Sequence, residues 1–150
     1  MKQSRRIDPL LSRAQDREDT VARELARHQQ ALAQHESRLA ELRRYADEYG
    51  SSQLAATSPA QLANRRAFVE RLQGAVEQQS RAVDNNRRTV EVERSRLLLA
   101  SRDKQVLEQL AASYRAQEQQ VDERRSQREM DDLGARRARL AALAAGSTES

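Results

Sequence analysis

The fold of this chain is decided by residues 7–49, which read IDPLLSRAQDREDTVARELARHQQALAQHESRLAELRRYADEY. Apolar side chains recur there at heptad spacing, as Leu25, Leu32 and Leu39 illustrate. So narrow a strip cannot build a globular core and must pack against another helix. Its a positions are Leu11, Glu18, Leu25, Leu32, Leu39 and Ala46, and its d positions are Ile7, Ala14, Val21, His28, His35, Leu42 and Tyr49.

The heptad pattern stops once and resumes over residues 62–114. Valines dominate the a positions, while Gln79 and Asn86 fall at d positions, where polar side chains lower stability and can fix register. The a positions are Leu62, Val69, Val76, Val83, Val90, Leu97, Lys104 and Ala111. The d positions are Leu72, Gln79, Asn86, Glu93, Ala100, Leu107 and Tyr114. We call the a and d positions of both stretches the seam.

Residues typical of helix ends lie at the start of the first stretch and between the two stretches. Pro9 suits the first turn of a helix, Gly50 is the expected C-cap, and Ser58 with Pro59 is expected to cap and start the second helix. The sequence therefore predicts an all-α fold, a two-helix antiparallel coiled coil or helical hairpin. We expect a single coiled-coil domain over 1–150, with helices at about 5–50 and 59–145, a turn at about 50–58 and a frayed tail at 146–150.

The two predicted helices differ in length, so the second should extend past the first at the C-terminus. One antiparallel register pairs Leu39 with Leu72, Leu42 with Val69, Leu32 with Gln79 and Val21 with Val90. In this register the first helix ends opposite Lys104. Roughly 40 residues of the second helix then have no partner helix. Self-association through the seam or this overhang is one way to cover such a helix.

Composition narrows the function classes. Hydrophobic residues make up 37% of the 150-residue chain, cysteine is absent, and arginine dominates the 27 basic residues because only Lys2 and Lys104 are lysines. The net charge is only +4, so the basic residues do not by themselves predict nucleic-acid binding. No run approaches a membrane span of about 20 apolar residues. We expect a cytoplasmic protein.

No pattern of residues predicts catalysis, a cofactor or a metal site. There is no phosphate-binding glycine loop and no catalytic triad pattern, and a two-helix coiled coil offers no water-excluding pocket. His28 and His35 lie one heptad apart, about 10 Å along a helix, too far to share one ion without another ligand. We interpret both as seam residues. Near-balanced charge over 115–139 favours a solvated helix laced with i,i+4 ion pairs.

Three of the four aromatic residues lie near the predicted turn: Tyr45, Tyr49 and Phe68. Tyr45 and Phe68 fall at g positions, beside the seam. Folding back at the turn places the following residues on neighbouring surface: Leu42, Tyr45, Tyr49, Phe68, Leu72 and Ala75. We call this set the turn-end patch. Large apolar groups clustered at one end favour a protein-binding patch. The alternative is that they only staple the end of the hairpin.

Three segments resemble the flagellar FliJ proteins of bacterial type III export. They are Leu42-x-x-Tyr45-x-x-x-Tyr49 before the turn, FVERLQ at 68–73 after it, and EMDDLGARR at 129–137 near the C-terminus. The similarity in length and layout covers nearly the whole chain. Arg38 and Gln79 differ from the family pattern, in which glutamine and histidine are usual at the edges of the patch.

The resemblance implies an adaptor without enzymatic activity. FliJ-like proteins form an antiparallel coiled coil similar to the central stalk of rotary ATPases. The end with both termini enters the hexameric export ATPase FliI, the turn end contacts the export gate protein FlhA, and the family binds export chaperones. The chain would thus lie at the cytoplasmic face of the inner membrane, held there by its partners, as a regulator of the ATPase and a chaperone escort in motility.

The family's gate-binding positions fall on the turn-end patch, and an ATPase or chaperone contact would fall near Arg136 and Arg137. Two other hypotheses remain at this point. A generic structural or dimerising coiled coil predicts stable self-association without an ATPase partner. A basic nucleic-acid-binding hairpin predicts binding that falls steeply with salt.

Overall fold

A computed structural model describes residues 2–51 and 58–148 of the chain. These residues form two α-helices, α1 (Gln3–Ser51) and α2 (Pro59–Thr148), and contain no strand. The all-α prediction is therefore confirmed. The predicted turn lies largely outside the described residues.

Contacts divide the chain into two units. The terminal unit comprises Met1–Ala14 and Asp103–Ser150, and the central unit comprises Gln15–Arg102. In the terminal unit, Ser4 contacts Glu118 and Lys2 contacts Asp122, so the two helical segments run antiparallel.

The central unit is also an antiparallel helix pair. Glu24 contacts Arg96 near one end of the unit, and Tyr49 contacts Phe68 near the other. Partner numbers on α2 fall as those on α1 rise. Each unit therefore has the helix pairing predicted for an antiparallel coiled coil.

Burial in the central unit follows the predicted seam. Val83 is only 2% exposed and Val90 only 3%. The other buried residues of this unit are also seam residues: Val21, Leu25, Leu39, Glu93 and Ala100. The heptad pattern thus predicted the buried face of both helical segments.

The polar side chains of the seam find hydrogen-bond partners in different ways. The Gln79 amide donates to Nδ1 of His35 at 3.0 Å and to the His35 carbonyl at 3.0 Å. Asn86 instead donates to the Ala82 carbonyl of its own helix at 2.7 Å. Of the two residues expected to influence register, Gln79 bonds across the helix pair and Asn86 bonds within α2.

Glu93 is the buried carboxylate of the seam, at 7% exposure. Arg96 donates to it at 3.1 Å from the same helix and lies 3.8 Å from Glu24 on α1. A buried carboxylate needs a partner of opposite charge or several donors. Arg96 supplies that charge and links the two helical segments at the same place.

The start of α2 agrees with the sequence prediction. Ser58 Oγ accepts the backbone N–H of Gln61 at 3.2 Å, and its carbonyl accepts that of Leu62 at 3.2 Å. Pro59 is the first helical residue, where a missing N–H costs nothing because no intrahelical acceptor exists. Ser58 is therefore the N-cap.

Both predicted end signals in α1 were wrong. The helix begins at Gln3, which places Pro9 inside it. Gly50 is helical, and no described glycine has a positive φ, so Gly50 is not a left-handed C-cap. Ser4, which precedes Pro9 in α1, is bonded to Glu118 of α2.

The predicted start of the overhang also needs correction. Ser4 and Lys2 contact Glu118 and Asp122, two heptads or more beyond Lys104. From residue 119 to residue 147 every side chain is exposed. Contacts with the start of α1 thus reach Asp122, and the part of α2 beyond them is shorter than expected. No helix in the described ranges is long and apolar enough to cross a membrane.

Candidate functional site at the turn end

The structure places the six residues of the turn-end patch in the central unit, close to where α1 ends and α2 begins. Tyr45 is 55% exposed, Tyr49 is 40% exposed and Phe68 is 42% exposed. Leu42, Leu72 and Ala75 are half-buried. The aromatic side chains are thus exposed, while the aliphatic side chains are partly covered.

Two of the aromatic rings touch across the helix pair. The ring centroids of Tyr49 and Phe68 lie 4.8 Å apart at an interplanar angle of 61°, an edge-to-face arrangement. Such pairs add roughly 0.5–1.5 kcal/mol beyond their buried area. This contact joins the last turns of α1 to the first turns of α2.

Arg65 strengthens the same junction. Its guanidinium donates to the Tyr49 carbonyl at 2.9 Å. Carbonyls in the last turn of a helix have no intrahelical donor and carry partial negative charge, so a guanidinium is a suitable partner. The Tyr49 ring and backbone are therefore both fixed by α2.

Leu62 is a further surface residue of this end of the helix pair. Leu62 was predicted to lie in the seam but is 50% exposed. It lines an open groove of about 470 Å³ together with Tyr49, Gly50, Arg65, Arg66, Val69 and Glu70. An a position is buried only where the partner helix reaches it, and the heptad pattern does not say where that helix ends.

A second groove lies along the same end of the helix pair. It has a volume of about 850 Å³ and is lined by Arg43, Arg44, Ala46, Asp47, Glu48, Gly50, Gln73, Val76 and Glu77. Most of these side chains are charged. The turn-end patch therefore adjoins a polar flank, the arrangement of an apolar centre with a polar rim that protein interfaces show.

Arg136 and Arg137, the residues implicated near the C-terminus, lie in the terminal unit and are exposed. The described residues from 123 to 147 contain no ion pair, so the predicted lacing by i,i+4 pairs was wrong there. Four large apolar side chains are also exposed between 56% and 71%: Met130, Leu133, Leu140 and Leu143. Within residues 2–51 and 58–148, no acidic side chain pairs with Arg136 or Arg137.

The histidines are part of the helix pair. His28 and His35 are half-buried in the seam, and Nδ1 of His35 accepts the Gln79 amide. No group of three or more histidine, cysteine or acidic side chains within residues 2–51 and 58–148 is arranged to hold a metal ion. The half-burial of both histidines and the Gln79 contact agree with the prediction that they are seam residues.

Comparison with known proteins identifies the family. The family model described as flagellar FliJ protein matches residues 2–142, nearly the whole chain. The chain belongs to the FliJ family. Among curated proteins and among solved structures nothing matches. Membership makes this FliJ-family chain a component of the bacterial flagellar type III export apparatus, in a family that is structural and chaperone-like with no known enzymatic activity.

Proposed function

We propose that the chain is a stalk and adaptor of the flagellar export apparatus. The end that carries both termini engages the export ATPase FliI, the turn-end patch contacts the export gate protein FlhA, and export chaperones bind the same chain. The exposed, edge-to-face pair of Tyr49 and Phe68 is the observation that carries the proposal.

The turn-end patch supports the contact to the gate protein. Three aromatic side chains of one small region are 40% or more exposed, although aromatic residues form only 3% of the chain. Exposed aromatic groups that are already held in place lose little entropy on binding and act as anchors at protein interfaces. The Tyr49–Phe68 contact and the Arg65 bond provide that preorganisation.

The charged surface supports contacts that form and break. Arg136 and Arg137 are exposed and have no acidic partner within the described residues. Exposed charges steer association and give weak, salt-sensitive contacts. Such contacts suit an ATPase ring or a chaperone that must be released after each cycle. The chain would then be peripheral to the inner membrane through its partners.

A pull-down on the cytoplasmic linker of the cognate FlhA tests the turn-end contact. Phe68→Ala should lose most of the bound protein while its helical circular dichroism stays near the wild-type value. Val92→Ala is the matched control, because Val92 is also an exposed apolar residue of the central unit, at 59% exposure. Equal binding by all three proteins would contradict the gate contact.

The ATPase contact is tested separately. The cognate FliI should hydrolyse ATP faster in the presence of the chain, and the double variant Arg136→Ala, Arg137→Ala should stimulate less. If stimulation is absent and the chain forms a stable dimer instead, a generic dimerising coiled coil becomes the better description.

A further inference from the structure

The first helical residues of α1 are held to α2 by polar contacts rather than by a large apolar core. Ser4 donates to Glu118 twice, from its backbone N–H at 3.1 Å and from its hydroxyl at 2.7 Å. Lys2 lies 3.5 Å from Asp122, and Arg115 lies 3.2 Å from Asp8. We call these three residue pairs the clasp.

We infer that the clasp closes the terminal unit, and that residues 2–14 separate from α2 as a local unit when its Ser4–Glu118 bonds are broken. This proposal does not depend on which partners the chain binds. It assigns the terminal unit a conditional, reversible opening that the central unit does not share.

Ser4 and Glu118 are the centre of the clasp. Ser4 is 8% exposed, so its donors cannot simply be returned to water while the helices stay together. The first N–H groups of a helix have no intrahelical acceptor, and α1 has no acidic residue in its own first turn. Glu118 therefore caps α1 from the other helix, with its charge near the positive end of the helix dipole.

The two outer pairs add less. The side chains of Lys2, Asp122, Arg115 and Asp8 are all more than half exposed, between 54% and 61%. Exposed ion pairs contribute little to stability and are screened by salt. The outer pairs support the clasp, but the buried Ser4 bonds decide whether it is closed.

Few apolar residues are buried in the terminal unit beside the clasp. Ile7 and Ala111 are the fully buried apolar residues described in the terminal unit, whereas the central unit buries six. Pro9 also removes one backbone hydrogen bond from this part of α1. Segments with few buried contacts and interrupted backbone bonding open locally at low free-energy cost.

The charge on Glu118 makes the clasp sensitive to pH. The hydroxyl and backbone N–H of Ser4 hold the pKa of Glu118 below its ordinary value, and the charges of Lys2 and Arg115 act in the same direction. Asp8 and Asp122 face the same region but are paired with Arg115 and Lys2, and Arg125 lines the cleft beside Glu118. The two Ser4 donors use different carboxylate oxygens, so protonation of Glu118 takes the acceptor from one of them and removes the charge that strengthens both bonds.

Opening would change which surface the chain presents. Ile7 and Ala111 would become exposed, together with the half-buried Leu11, Leu107 and Tyr114. The closed form covers this apolar strip. A binding partner that needs it would therefore meet it only after the clasp has opened.

Amide hydrogen exchange on the full-length chain tests the clasp. In Glu118→Gln, exchange across residues 4–14 should speed up by about three- to tenfold at neutral pH, because a carboxylate with two charge-assisted bonds is lost. Exchange across residues 20–40 and 76–96 should stay unchanged. Ser4→Ala should give the same pattern.

Glu108→Gln is the control, because Glu108 pairs with Lys104 of its own helix and is not part of the clasp. In the wild type, protection of residues 4–14 should also fall as the pH drops below about 4.5, after correction for intrinsic exchange. Glu118→Gln should lack that fall. Unchanged protection of residues 4–14 in both clasp variants, or equal loss of protection in both units, would overturn the proposal.

Discussion

The Gln79 amide bonds both the ring and the backbone carbonyl of His35, with each distance at 3.0 Å. The two residues are 44 positions apart in the chain and lie on different helices. One side chain thus joins the two helical segments of the central unit and sets Gln79 opposite His35. It also fixes which His35 nitrogen accepts a hydrogen bond from Gln79.

Replacing Gln79 by alanine should lower the free energy of unfolding by about 1–2 kcal/mol, because the His35 ring loses its half-buried donor. Urea unfolding followed by circular dichroism measures the change. Gln78 provides the control, since its side chain is exposed. Gln78→Ala should change stability by less than about 0.5 kcal/mol. Similar losses in the two variants would mean that the cross-helix bonds contribute little.

Val83→Ala should be among the more destabilising truncations in the chain. Val83 is 2% exposed, so removing two methyl groups leaves a gap in the seam and costs about 2 kcal/mol. Thermal unfolding gives the measurement. Val92→Ala removes the same atoms from a side chain that is 59% exposed and should cost less than about 0.5 kcal/mol. A reversed order would contradict the assigned seam.

The Tyr49–Phe68 contact should appear as a coupling free energy. In a double-mutant cycle with alanine at both positions, we expect about 0.5 kcal/mol of coupling, at the low end for aromatic pairs because both rings are partly exposed. Denaturant unfolding of the four proteins supplies the values. Tyr49→Phe keeps the ring and should retain the coupling. Strict additivity would show that the rings are not in contact in solution.

Ser58→Ala should cost about 1 kcal/mol of stability, because the Gln61 N–H loses its side-chain acceptor at the start of α2. Ser58→Asp should recover most of that loss, since a carboxylate accepts the same bond and favours the helix N-terminus. Ser113→Ala is the control for the same chemical change at an exposed position inside α2. Thermal melts of the three variants decide the comparison.

Stability of the wild type should fall as the pH drops below about 4.5. The pKa of Glu118 is lower in the folded chain than its ordinary value, so the unfolded chain binds the proton more readily. The stabilisation is therefore present above the ordinary pKa and is lost as the pH falls through the folded one. Melting temperatures of wild type and Glu118→Gln between pH 6 and pH 3 should converge. A constant gap would exclude Glu118 as the titrating group.

Much of the fold could be predicted from residue spacing. The heptad pattern identified Val21, Leu39 and Val90 as buried because side chains seven residues apart lie on one face of a helix. Ser58 and Pro59 marked the start of α2 because capping depends on local chemistry. Of the turn-end patch, the sequence placed Tyr49 and Phe68 near each other, which the ring contact confirms.

Other features were predicted wrongly or not at all. Pro9 was placed in the first turn of α1, although the helix starts six residues earlier. Leu62 was assigned to the seam, although it is half exposed. Both errors concern where a helix begins or ends, and these limits depend on contacts with the other helix that the spacing within one helix does not contain.

The sequence by itself determined that the chain is helical, which faces pack and where α2 starts, because these follow from periodicity and local capping. Only the tertiary structure decided the register. Sliding one helix by a heptad keeps apolar residues opposite apolar residues, so the repeat cannot choose among such pairings. The choice depends on pairs such as Ser4 and Glu118, which are 114 residues apart in the chain and meet only once the helices have packed.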